Sequence, residues 1–133
     1  MMLAASPALP LSRAGVVVRL NGELRFLSAQ SVRRFVPRPP LSDVSGTGLT
    51  MALVDGQVLA VIVVGQRGST LAVCEVGGEL VGLLGAEPES VGIFETDGSG
   101  VSFQGQRVAA LDVGEVVRLS ARGADQQQPE VEA

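Results

Sequence analysis

The segment from Val54 to Leu84 holds three apolar runs, Val58 to Val64, Leu71 to Val76 and Leu80 to Leu84, parted only by short polar or glycine-bearing stretches. Asp55-Gly56 precedes the first run, Gly65-Gln66-Arg67-Gly68-Ser69 the second and Gly77-Gly78 the third. β-Branched side chains suit a pleated, buried surface, and glycine turns the chain without steric cost, so valine-rich runs at this spacing specify closely packed strands. Each run is far below the roughly 20 residues that cross a bilayer as a helix, so no membrane insertion is expected.

Composition narrows the chemistry more than the fold. At 133 residues and 46% hydrophobic content the chain has enough material for one compact domain. All 10 basic residues are arginine, and histidine, lysine, tryptophan and tyrosine are absent. Without histidine or lysine the commonest acid/base and Schiff-base schemes are unavailable, so no enzyme activity and no cofactor are expected. A net charge of -4 and only four phenylalanines argue against nucleic acid, which needs clustered positive charge and stacking surfaces.

Cys74 is the single cysteine, which excludes an intramolecular disulfide and a zinc cluster. Lying inside an apolar run without cationic neighbours, it reads as a small buried hydrophobe in a reducing, cytoplasmic setting. Gly77-Gly78 and Gly98-Ser99-Gly100 lack the lysine and the helix opening of a phosphate loop and read as turns. Glu87, Glu89, Glu95 and Asp97 fall in or beside expected turns, as solvated acids do, and no calcium loop or other metal site is visible.

Along the chain, residues 1–14 read as a flexible leader and a poor secretion signal, residues 15–120 as the folded domain, and 121–133 as a disordered polar tail. Val16 to Leu27 predicts a hairpin turning at Asn21-Gly22, the strongest short hairpin signal. Ser28 to Val36 has a helical spacing of Val32 and Phe35 and ends at Pro37-Arg38-Pro39-Pro40; Leu41 to Gly48 reads as a loop. Further hairpins are expected at Asp55-Gly56, at Gly77-Gly78 and at Gly105-Gln106, with a turn over 85–90 and a strand at Val91 to Phe94. Asp112 and Glu115 have capping-box spacing for a short helix with Val113, Val116, Val117 and Leu119 on its buried side. Repeated hairpins with little helix predict an all-β fold of two small barrels, since closure removes exposed strand edges.

In order and spacing these pieces resemble the CheW-like domain, the adaptor domain of bacterial chemosensory arrays. The similar stretches are Val16 to Leu20 with Gly22, Leu24 to Leu27, Val32-Arg33-Arg34-Phe35-Val36 with Pro39-Pro40-Leu41, Val54 to Val63, Cys74 to Leu84 and Gly105 to Val113. The resemblance covers about Val16 to Leu119 and implies two intertwined five-stranded SH3-like β-barrels with a groove between them. It also implies a non-catalytic adaptor linking receptor-like components to a CheA-like histidine kinase through protein contacts. Carried over by resemblance, Val32 and Arg33 lie beside the groove, and Asp55 and Gln57 mark the turn that contacts a partner; for Val32 simple core packing is the rival reading.

That turn departs from the family's Asn-Leu-Arg-Gly: here it is Leu53-Val54-Asp55-Gly56, a charge reversal that implies a changed partner. Ala60, Val63 and Ala86 also stand where the family usually has proline and aspartates, and the connection from Gly65 to Ser69 is shorter. A different reading of the same residues is a small β-barrel regulator of a GTPase or kinase outside any receptor array. Exposed strand edges are also able to pair two copies, so a homo-oligomer fits the sequence too.

Overall fold

The computed structural model describes residues 11–44, 49–66 and 68–127. The elements run β1 (Ser12–Leu20), β2 (Glu23–Ser28), β3 (Val32–Pro37), β4 (Leu41–Val44), β5 (Leu49–Val54), β6 (Gln57–Val63), β7 (Thr70–Val76), β8 (Glu79–Leu84), β9 (Glu87–Asp97), β10 (Gly100–Phe103), β11 (Gln106–Val108) and α1 (Val113–Gln127). They form a five-stranded sheet in the order β11-β10-β9-β1-β2 and a six-stranded sheet in the order β3-β7-β8-β6-β5-β4. The chain starts in the first sheet, builds the whole of the second, and returns to finish the first, so the two lobes are intertwined.

The first sheet curls until its ends meet. Phe26 N–H donates to Ala109 O at 2.9 Å and Leu111 N–H to Phe26 O at 2.8 Å, joining the segment after β11 to β2. The second sheet curls so that Val36 of β3 and Leu41 of β4, on its two outermost strands, pack against one interior cluster. The fold is therefore all-β with a single helix among the described residues, as the glycine-punctuated runs predict.

Those runs are continuous because their strands are buried on both faces. In β1, Val17 points into the first lobe with Phe26, Val101 and Val108, while Val16 and Val18 point the other way. In β7, Leu71 and Val73 fill the second lobe, while Ala72 and Cys74 face back toward Val16, Val18, Leu27, Val81 and Leu83. A period of two on each strand thus feeds three cores: one in each lobe and one between them. Burying one such valine or leucine side chain is worth about 1.5–3 kcal/mol, so the core between the lobes welds them together. Within the first lobe, Gly15 permits β1 to pass close over β2: a Cβ there would meet Leu27 O and the Phe26 ring, which belongs to that lobe's own core.

Several local expectations give way to tertiary pairing. The helical turn read over 28–36 is instead a turn followed by strand β3, because Val32 to Pro37 pairs with Thr70 to Cys74 of β7. The loop read from Leu41 begins as strand β4, paired with β5 from Leu41↔Ala52 to Val44↔Leu49; residues 45–48 lie outside the described residues. This strand is why the second lobe has six strands rather than five. Strand β9 starts at Glu87, inside the expected turn, and accommodates Pro88 at a register shift opposite Val17 and Val18. The last hairpin turns at Gln104-Gly105, both at positive φ, one residue earlier than the Gly105-Gln106 expected.

The outer bounds also differ from the sequence reading. Ser12 to Ala14, expected as the end of the leader, pair with Glu95 to Ile93 in β1; residues 1–10 lie outside the described residues. Helix α1 extends to Gln127, past the expected start of the tail, and residues 128–133 again lie outside. At its start Asp112 Oδ1 accepts the Glu115 N–H at 3.1 Å, the cap its spacing predicts. Val113, Val116 and Val117 pack on the core between the lobes, whereas Leu119, read as part of that stripe, is exposed.

Candidate functional site

The site begins with an irregularity in β3. Its register against β7 runs Val32↔Cys74 and then Arg34↔Val73, leaving Arg33 as an extra residue on the β3 side. In a regular strand Arg33 and Arg34 would project to opposite faces. A β-bulge re-aims one of them, and both line a single cavity of about 260 Å³ together with Val54, Gln57, Leu59, Val73 and Leu80. Val54, Leu59 and Val73 belong to the interior cluster of the second lobe, so the cavity is an opening into that lobe's core.

Two ion pairs frame the opening. Arg33 donates to the Glu75 carboxylate of β7, and Arg34 donates to the Asp55 carboxylate at the turn between β5 and β6. Asp55 and Gly56 occupy that turn at φ +51° and +81°, the mirror-image hairpin geometry that Asp-Gly adopts readily. Beside the turn Leu53 and Val58 face each other across β5 and β6, 60% and 62% exposed, on the outer face of the hairpin.

The four residues singled out from sequence divide between two places. Arg33 and Gln57 line the cavity, and Asp55 stands at its rim through Arg34. Val32 is half-buried against the core between the lobes and pairs with Cys74, away from the cavity. Arg34 and the apolar floor, Val54, Leu59, Val73 and Leu80, were not singled out. Arg34 is adjacent to Arg33 in the sequence, but that both face one opening depends on the bulge, which only the partner strand reveals.

Chemically the arrangement offers two guanidiniums, one amide and an apolar floor, which is equipment for recognition. Cys74 is on the opposite face of β7, fully buried, and burial pushes its thiol up to about 12. It is therefore a protonated core residue and no nucleophile. Among the described residues no group of three or more cysteine, aspartate or glutamate side chains is placed to hold a metal ion. No described helix is long and apolar enough to cross a membrane.

Two intertwined β-lobes around a shared core form a CheW-like fold. The solved structure of the scaffolding protein TtCheW from Thermoanaerobacter tengcongensis superposes with a TM-score of 0.59, covering 75% of this chain and 89% of that one at 16% identity. No protein-family model and no curated protein matches the sequence.

Proposed function

We propose that this protein is a non-catalytic adaptor of a bacterial chemosensory or motility-control pathway, working in the cytoplasm through protein contacts, with its partner altered at the second lobe. The fold likeness to a scaffolding protein supports the general role. The observation that carries the altered partner is the rim of the cavity. Asp55 sits where the resembled family has an arginine, and its carboxylate is matched inside the chain by Arg34. A partner shaped to meet an arginine at that turn would meet an acid already paired, and a like charge opposite it costs several kcal/mol of discrimination.

The test is affinity purification from the native cell with wild type and Asp55→Arg as baits. The reading expects receptor-like or histidine-kinase-like components with the wild type and a changed set with the variant. It also expects weaker capture of a standard CheA regulatory domain than an ordinary adaptor gives. Equal capture of that domain would refute the altered partner, and enrichment of a nucleotide-bound GTPase alone would replace the adaptor reading with that of a regulator.

A further inference from the structure

We propose that the open edge of β9 is a strand-addition site for an extended segment of another protein that carries apolar residues at two alternate positions and a basic residue at either end. Strand β9 lies between β10 and β1, but β10 pairs with it only at Thr96 and Asp97. From Glu89 to Glu95 that edge has no strand on it among the described residues. Thr96 N–H donates to Leu11 O on the β1 side at 2.9 Å. Backbone groups alternate in direction along a strand, so the amides of Phe94 and Gly92 also face β1, while those of Glu95, Ile93 and Val91 face the empty edge.

The same three residues carry exposed side chains. Val91 and Ile93 are 75% and 73% exposed although they pair with Val16 and Ala14, on the face that continues the core between the lobes. Free donors and acceptors in a row can be matched in geometry only by water or by another extended chain. Two apolar side chains at alternate positions, with Glu89 before Val91 and Glu95 beyond Ile93, then set what that chain presents: apolar residues opposite Val91 and Ile93, and cations at either end. Glu89 also accepts from Arg19 at 3.2 Å, whereas the cation at Glu95 meets an acid with no ion-pair partner among the described residues.

A second copy is disfavoured by charge. Antiparallel self-pairing centred on Gly92 puts Val91 opposite Ile93 but also Glu89 opposite Glu95, and like charges directly opposed destabilise a strand pair. Pro88 and the irregularity at Glu89 close the edge on the N-terminal side, so the open window is short. The site is on the first lobe and does not depend on what occupies the cavity of the second.

The probe is the peptide Ac-Arg-Thr-Val-Thr-Val-Thr-Lys-NH2, read by amide hydrogen exchange on the full chain. In the free protein the Val91, Ile93 and Glu95 amides should exchange faster than those of Gly92 and Phe94. Saturating peptide should slow them about tenfold or more. The same peptide with glutamate at both ends should have no effect, and Ile93→Lys, at an exposed position, should fold normally and lose the response. Edge amides already as protected as their neighbours, or unmoved by the basic peptide, would overturn the proposal. So would protection that grows with protein concentration alone alongside a dimer in sedimentation, which would assign the edge to a second copy.

Discussion

The Arg34 guanidinium donates to the Asp55 carboxylate across the mouth of the second lobe, tying strand β3 to the turn between β5 and β6. In the sheet β3 is a neighbour of neither β5 nor β6, so this pair and the apolar interior below it are what hold the rim in shape. Arg34 faces the opening because it lies opposite Val73 of the second-lobe core, and the extra residue before it, Arg33, brings a second guanidinium to the same side.

Both partners of this pair are more than half exposed, so solvent screens it. A double-mutant cycle on Arg34→Ala and Asp55→Ala, by urea denaturation at low salt, should give a coupling of about 0.2–1 kcal/mol that shrinks in 1 M salt. Asp55→Arg should fold with only a modest loss of stability. A large loss would mean the pair is structural and the turn is no free contact surface.

Cys74 sets a pH window of its own. Its folded pKa lies near 12 against an ordinary value of 9.0, through burial that penalises the thiolate. Between these values the unfolded chain has released the proton while the folded chain keeps it, so stability is fully present below pH 9 and falls as pH rises toward 12. With no lysine, tyrosine or histidine in the sequence, no other side chain titrates in that window. Denaturation midpoints measured from pH 8 to 11 should fall for the wild type and stay flat for Cys74→Ala. A parallel fall in both would show that the thiol is not the cause.

Leu83 is fully buried in the core shared by the lobes. Leu83→Ala should cost about 2–5 kcal/mol. Because that core joins both lobes, fluorescence-labelled or calorimetric unfolding should remain a single transition shifted to lower temperature. Two separated transitions would show the lobes to be independent.

Gly15 tests the packing of the first lobe by itself. Any β-carbon there meets Leu27 O and the Phe26 ring, both in the buried wall of the first lobe. Gly15→Val should destabilise by about 1–3 kcal/mol or more, because backbone cannot yield as a flexible side chain does. The thermal midpoint reads this directly, and an unchanged midpoint would contradict the packing described.

The turns were legible in the sequence because their chemistry is local. Asn21-Gly22, Asp55-Gly56 and Gly77-Gly78 all turn at positive φ where read, and the Asp112 cap needs only the residues beside it. What escaped depends on strands distant in sequence. Val32 and Phe35 have helical spacing, yet β7 claims them as a strand; Leu41 to Val44 reads as loop because its partner β5 supplies the order. The same reason hid half of the site: Arg33 and Gln57 were picked out by resemblance, but the cavity they share with Arg34 exists only through a bulge set by β7.

The most direct test of the central claim, that the opening of the second lobe is a protein-contact site, is the affinity of the captured partner for Arg33→Ala and Gln57→Ala, with folding checked by thermal midpoint. Each substitution is expected to weaken binding about tenfold while leaving the fold intact. Unchanged affinity in both folded variants would contradict the account.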